Sequence, residues 1–247
     1  MSFPAVLHSE WIKIRSVRSL GGALLSVFLA TVAFSLLGSA TVGHENAGKP
    51  DFDPVLTSFF GLNFGQIAAI CFGATVVAGE YRNGGVRLAL TAVPRRGLYY
   101  AAKLTVIGAL VLAVGLITSL TCFLVGQLLI GRAGIGIGDP GGLRSVVGCA
   151  FYLALIALFA AGLAAVLRSG LAVMGILIPF VLLVSFVIGD VSRSASLADF
   201  LPDRAGQQAL LQNPSGQLGP WSGLAVMAGW VAAAVGAGWA ALSRRDA

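Results

Sequence analysis

Charged residues are scarce in this 247-residue chain, and their scarcity decides the class of protein. Only 11% of the residues are Asp, Glu, Lys or Arg, whereas 57% are hydrophobic, and the mean hydropathy is +0.90. Soluble domains usually carry about 25% charged residues. The chain is therefore expected to be an integral membrane protein, and its length accommodates about six membrane spans.

No Asp, Glu, His, Lys or Arg residue lies in the interior of a predicted span. Proton- or sodium-coupled carriers usually keep such a group within the membrane. Intramembrane hydrolases need a nucleophile with its base, paired carboxylates or metal ligands. Both classes are disfavoured, so the energy for any active transport is expected to come from outside the spans.

Motifs for nucleotide and metal chemistry are also missing. The sequence has no GxxxxGK[ST] P-loop and no HExxH motif, so neither ATP binding nor a metal site is expected in this chain. Cys71, Cys122 and Cys149 lie in or beside apolar segments without CxxC spacing, which predicts buried thiols. The net charge of +6 does not by itself suggest nucleic-acid binding. The distribution of the charged residues over the loops is the more informative feature.

What the sequence does contain is six apolar runs, which predict an all-α polytopic membrane protein. One transmembrane domain is expected over residues 1–247, and Pro179 is expected to kink the fifth span. The predicted spans are approximately 20–42, 56–78, 104–130, 146–167, 171–189 and 221–242.

Two segments outside the spans are predicted to lie at the membrane surface. Residues 1–19 combine Trp11 and other apolar residues at helical spacing with Lys13, Arg15 and Arg18. This pattern is typical of an amphipathic interfacial helix beside lipid headgroups, although a merely basic tail is an alternative. Residues 197–212 could form a second short helix on the membrane.

Cations are distributed unequally between the two sides of the predicted topology. With both termini on one side, that side holds 11 cations and 3 acids, and the other side holds 5 cations and 7 acids. The positive-inside rule therefore predicts that both termini are cytoplasmic. An even number of spans agrees with this orientation.

The loop over residues 79–103 is the long polar segment between spans on the predicted cytoplasmic side. It carries five cations and a single acid, Glu80. Gly84 and Gly85 would allow a tight turn between two short helices, and Pro94 suits the start of the next helix. Such a compact basic loop is expected to contact a component outside the bilayer.

The sequence of this loop, GEYRNGGVRLALTAVPRRGLYYAAK, resembles the membrane subunits of type-2 ATP-binding-cassette (ABC) exporters, as do HSEWIKIRSVRS, FLPDRAGQQAL and the terminal RRDA. In that family a Glu is followed by a Gly, a Leu-rich stretch, a Pro-Arg pair and a Lys at the next span. The corresponding residues are Glu80, Gly84 or Gly85, Leu88, Leu90, Pro94, Arg95, Arg96 and Lys103.

The resemblance implies a permease subunit in a bacterial plasma membrane that hydrolyses nothing itself. Two six-span subunits, either two copies or a copy with a paralogue, would pair above separate cytoplasmic ATPase subunits that bind ATP and magnesium. The loop would act as a coupling helix on the ATPase. The residues expected at this contact are Glu80, Arg82, Gly84, Gly85, Arg87, Leu88, Leu90 and Pro94; the alternative is that the arginines only anchor to lipid headgroups.

Two hypotheses concern individual residues. Glu80 is expected to pair with a loop arginine or with a cation of the N-terminal helix and so to link the loop to the spans. Asn63 and Gln66 lie three residues apart on one face of the second span and could line a translocation path. Interhelical hydrogen bonding is the alternative for this pair. Gly61 and Gly65 have the spacing for close helix approach.

A different function class uses the same features. A non-transporting anchor or assembly module could recruit a cytoplasmic protein through the same loop. ATP-dependent movement of a substrate separates this alternative from the exporter.

Overall fold

The apolar runs form a bundle of long helices. The computed structural model describes residues 2–46, 49, 52–82, 84–184, 198–212 and 217–245, and no strand occurs among them. The principal helices, numbered in chain order, are α1 Phe3–Ser16, α2 Arg18–Gly38, α3 Leu62–Arg82, α4 Gly85–Ala92, α5 Arg96–Ile130, α6 Gly142–Leu167, α7 Gly170–Pro179 and α8 Pro220–Arg245.

Short helical segments connect or extend these helices. Turns of π-helix continue α2 over Ser39–Gly43 and α7 over Phe180–Val184. The π-turn of α7 follows Pro179 directly, at the point where the missing backbone donor was expected to disturb the helix. The remaining short helices are His44–Asn46, Pro54–Ser58, Gly131–Ala133, Ala198–Phe200, Pro202–Gln207 and Gln208–Leu210.

Helix α6 lies at the centre of the bundle. It packs extensively against α3, α5 and α8, and small residues line these contacts. Gly162 illustrates why they are needed, because a Cβ there would lie 2.8 Å from the carbonyl carbon of Ala234 in α8. Small residues let helix backbones approach closely where lipid gives no hydrophobic drive for association.

The expected close approach at Gly61 and Gly65 is confirmed. A Cβ at Gly61 would overlap the backbone of Thr31 in α2, and one at Gly65 would overlap the Thr31 hydroxyl. The backbone N–H of Gly61 also donates to Ser35 Oγ at 3.0 Å. These contacts hold α2 against the beginning of α3.

Five helices are long and apolar enough to cross a membrane. They are Arg18–Gly43, Leu62–Tyr81, Arg96–Ala133, Gly142–Leu167 and Pro220–Arg244, among the residues that the structure describes. The fifth predicted span corresponds to a shorter apolar helix, Gly170–Leu183, and residues 185–189 of that prediction lie outside the described residues.

The predicted starts of the second and third spans differ most from the structure. The second span was expected from residue 56, but the chain turns at 59–61 before α3 begins at Leu62, because Gly61 packs tightly on α2. The third span was expected from residue 104, but α5 begins at Arg96. Arg96 donates from Nη1 to the carbonyl oxygens of Leu242 and Ser243, both at 2.9 Å, which anchors this helical extension to the end of α8.

The two ends of the bundle differ in charge, following the loop composition. The basic end carries α1, α4, the turn at Arg168 and the last turn of α8. The acidic end carries the helix Pro54–Ser58, the turn before α6 and residues 198–212. Residues 198–210 are largely helical, as expected, and they pack against α6 and α8. Leu197 lies outside the described residues.

Candidate functional site

Four charged side chains converge at the basic end. Lys103 Nζ lies 2.5 Å from Glu10 Oε2 and 2.8 Å from Glu80 Oε1, while Lys13 Nζ lies 2.6 Å from Glu10 Oε1 and 3.2 Å from Glu80 Oε1. We call this group of two acids and two lysines the ion cluster. It connects three elements, because Glu10 and Lys13 belong to α1, Glu80 to α3 and Lys103 to α5.

The pattern of α1 explains how Glu10 enters the cluster. Glu10 is four residues from both Val6 and Ile14, so the three share one helix face, and all three are buried. Glu10 is only 1% exposed and Lys103 only 3% exposed. Burying charges is costly unless they are paired, and the equal numbers of acids and lysines meet that requirement.

Electrostatics within the cluster favours the ionised carboxylate of Glu10. Burial acts to raise the pKa of Glu10, but the ammonium groups of Lys103 and Lys13 outweigh it, so the pKa lies below its ordinary value of 4.5. The ring of Tyr99 adds to the cation environment. Its centroid lies 5.3 Å from Lys103 Nζ and 5.7 Å from Lys13 Nζ, within the range of cation–π attraction.

The predicted coupling loop is a turn followed by the short helix α4. Gly84 adopts a left-handed conformation with φ of 65°, which a glycine tolerates best, and α4 begins at Gly85. Val86 faces the protein at 6% exposure, whereas Leu88 is 76% exposed. The helix therefore presents an apolar residue outward from the basic end.

The other predicted contact residues surround this helix. Arg82 ends α3, Arg87 lies within α4, Leu90 is half-buried, and Pro94 is exposed in the short link to α5. A groove of about 460 Å³ separates α4 from α1 and is lined by residues of both helices, including Leu88. Glu10, Lys13 and Glu80 also line this groove. The structure thus places the ion cluster directly beside α4.

Asn63 and Gln66 lie far from the loop, toward the acidic end, and they belong to a hydrogen-bonded chain. Gln66 Nε2 donates to Asn63 Oδ1 at 3.3 Å, Tyr152 Oη donates to Gln66 Oε1, and Gln207 Nε2 donates to Tyr152 Oη at 3.3 Å. Gln66 is 1% exposed, and its hydrogen bond with Tyr152 links α3 to α6. Asn63, in contrast, is exposed and lines a cavity of about 530 Å³ that we call the acidic-end cavity.

Sequence reasoning missed three residues of these sites. Glu10 was counted only as a cytoplasmic charge, although its spacing from Val6 and Ile14 signals an acid within an apolar helix face. Tyr152 and Gln207 gave no local signal, because their hydrogen bonds join residues 86 and 55 positions apart. Of the two partners expected for Glu80, the structure contains the one from the N-terminal helix, Lys13, at 3.2 Å.

Metal chemistry has no candidate centre in the described part of the chain, where no three His, Cys, Asp or Glu side chains converge as ligands.

Comparison with known proteins decides the family. The model of the ABC-2 family transporter protein matches residues 6–193, about three quarters of the chain. The chain belongs to this family.

Membership in the ABC-2 transporter family makes the chain a multi-pass transmembrane permease of the type-2 ABC class. The match begins within α1 and includes the loop with α4 and both predicted path residues. ABC-2 permeases are membrane transport components that usually have no ATPase site of their own and normally work with an ATPase partner. No curated protein matches the chain.

Proposed function

We propose that this ABC-2 permease is the membrane subunit of an ATP-driven exporter in a bacterial plasma membrane. It pairs with a second copy or a paralogue, binds a separate cytoplasmic ATPase through the loop over residues 79–103, and forms the translocation path. The observation that carries this proposal is the ion cluster, which connects α1, α3 and α5 beside the outward-facing helix α4.

The geometry of α4 suits an ATPase contact. Val86 attaches one face of the helix to the protein, and the opposite face presents Leu88 with its neighbour Thr91, both exposed. In this proposal the exposed Leu88 supplies an apolar contact to the partner, and the arginines of the loop supply charged contacts. The contact comprises Arg82, Gly84, Gly85, Arg87, Leu88, Leu90 and Pro94.

Glu80 transmits movement of this contact to the spans. It lies in the last turn of α3, one short turn before α4, and its Oε1 contacts both Lys13 and Lys103. Displacement of α4 by the ATPase therefore pulls on α1 and α5 together through two ion pairs. Charged hydrogen bonds of this kind are stronger than neutral ones and fix geometry.

Six crossings are supported by the chain positions before and after α7, and the charge of the basic end supports cytoplasmic termini. The chain leaves α6 at Arg168 on the basic end, yet Gln212 N donates to Asp53 Oδ2 at 2.9 Å on the acidic end. A sixth crossing after Gly170 accounts for this change of end, and the described helices Gly170–Pro179 and Phe180–Val184 supply roughly 22 Å of it at 1.5 Å per residue. In this topology α1 is the interfacial helix and both termini share the basic end.

Asn63 lines the translocation path, and Gln66 orients Asn63 from the protein interior. Asn63 is exposed to the acidic-end cavity, whereas the buried Gln66 amide holds Asn63 through a hydrogen bond. The two residues thus divide the roles that the sequence left open between path lining and interhelical bonding.

The test is purification of the tagged permease from its native membrane in nanodiscs, followed by identification of the bound proteins. A stoichiometric P-loop ATPase is expected, and the double variant Arg82→Glu/Arg87→Glu should lose it. Arg244→Glu is the matched control, because Arg244 is an exposed cation of the basic end on α8. Recovery of the wild type with no ATPase would instead favour a membrane anchor that recruits another cytoplasmic protein.

A further inference from the structure

We propose that the acidic-end cavity binds an amphipathic organic cation, which identifies the class of compound that the permease moves. This inference rests on the proposed transport function for its biological role. The binding itself depends only on the cavity and is testable without an ATPase.

The size and walls of the cavity suit a small organic molecule. Its volume of about 530 Å³ falls within the range of roughly 300–1,000 Å³ for small-molecule sites. One wall is apolar and comes from the helix Pro54–Ser58, the beginning of α3 and the end of α7. The other wall is polar and comes from residues 199–211. A ligand with one apolar and one polar part would satisfy both walls.

Aromatic rings lie on the apolar wall. Phe60 and Phe64 line the cavity and are 47% and 39% exposed, so they remain accessible to a ligand. The Phe64 ring stacks on Phe34 of α2 with centroids 3.8 Å apart, which fixes its orientation. The faces of aromatic rings attract cations, especially where water is partly excluded.

The charge of the polar wall favours a cation over an anion. Among the described residues of this wall, Asp199 and Asp203 are acidic and Arg204 is basic. The chain as a whole has a net charge of +6, and most of its cations lie at the basic end. The described acids of this wall therefore favour a cation, although the chain as a whole is cationic.

The test compares two probes of the same shape and opposite charge, tetraphenylphosphonium and tetraphenylborate. Binding to the full-length permease in zwitterionic nanodiscs is measured by equilibrium dialysis, with empty nanodiscs subtracted. Saturable binding of tetraphenylphosphonium is expected, with no saturable binding of tetraphenylborate. Asp199→Asn should weaken it about tenfold, because a carboxylate of the polar wall is neutralised. The carbonyl oxygen of Asn can still accept the Gln217 N–H that Asp199 accepts at 3.4 Å.

Two further variants make the result decisive. Phe60→Leu should weaken binding severalfold by removing a ring face. Asp139→Asn removes an exposed acid of the same end that does not line the cavity, and it should leave binding unchanged. Saturable binding of both probes, or tetraphenylphosphonium binding that none of the cavity variants alters, would overturn the inference. Loss of the ATPase interaction would overturn only the proposed function, since no ATP is present in this assay.

Discussion

Lys103 is the residue on which the ion cluster depends most. It is 3% exposed, lies within hydrogen-bond distance of both carboxylates, and approaches Tyr99 as well. Lys13 contacts the same two acids, but its side chain is 47% exposed and solvent can replace its contacts. The two lysines therefore have equal formal charge and unequal energetic roles.

This difference in exposure predicts unequal losses of stability when each lysine is replaced by methionine. Lys103→Met should destabilise the permease by roughly 3–5 kcal/mol, because Glu10 then keeps only the exposed lysine as a partner. Lys13→Met should cost less than about 1 kcal/mol, since exposed ion pairs contribute little. Thermal unfolding of both variants in the same detergent measures the difference. Equal melting temperatures for the two variants would contradict the role given to Lys103.

Glu10 should make the stability of the permease depend on pH only under acidic conditions. Its folded-state pKa lies below the ordinary value of 4.5, so its ion pairs stabilise the fold above that pH and are lost as the pH falls through the folded pKa. The stability difference between the wild type and Glu10→Gln should therefore be constant near neutral pH and shrink below about pH 4.5. Melting temperatures measured across this range test it, with Glu45→Gln, an exposed acid outside the cluster, as the control.

At the scale of elements, close backbone contact around α6 replaces the hydrophobic drive that a soluble core would use. Gly73 of α3 faces the backbone of Ala157 in α6, and an added Cβ would overlap the Ala157 carbonyl oxygen. Gly229 of α8 has no neighbour within 4 Å of such a Cβ. Only one of these two glycines is therefore needed for helix packing.

The matched pair Gly73→Ala and Gly229→Ala tests that conclusion. Gly73→Ala should destabilise the permease by roughly 1–3 kcal/mol, because α3 and α6 must separate to admit a methyl group. Gly229→Ala should be neutral or stabilising by up to about 1 kcal/mol, because alanine is the better helix former. Thermal unfolding is again the measurement. Equal destabilisation by both substitutions would mean that the approach of α3 to α6 contributes nothing.

The elements were predictable where apolar composition alone defines them. Apolar runs fixed the helical class and the approximate positions of the spans, and glycine spacing anticipated the contact of α2 with Gly61 and Gly65. The early start of α5 was not predictable, because Arg96 is polar and its partners, the carbonyl oxygens of Leu242 and Ser243, are about 146 residues away. The same limit applies to Tyr152 and Gln207, whose hydrogen bonds depend on the packed bundle.

At the scale of the whole molecule, the separation of the two ends makes the topology testable. Cysteines introduced at Leu88 and Ser243 should react with an impermeant maleimide only after cells are permeabilised, because both positions are exposed at the basic end. Cysteines at Asp139 and Gln217, exposed at the acidic end, should react in intact cells. Native background should be low, since Cys122 and Cys149 are buried and Cys71 is half-buried. Labelling of Leu88→Cys and Ser243→Cys from opposite sides would contradict six crossings.

The proposed coupling requires the ion cluster to remain intact while α4 moves. Glu80→Gln removes the charge that pairs with Lys103 and Lys13, but the Gln side chain has a similar shape and keeps one oxygen. The fold should persist, because Glu10 still pairs with both lysines. ATP hydrolysis by the bound ATPase should then continue while ATP-dependent efflux falls by about tenfold or more, because both charged hydrogen bonds of Glu80 are weakened. The measurement is the ratio of substrate moved to ATP hydrolysed in proteoliposomes of the complex. Asn63→Leu serves as the contrasting variant, because a substitution in the path should lower efflux without altering retention of the ATPase. A Glu80→Gln complex with an unchanged ratio would show that α4 transmits movement to the spans through its backbone connections alone.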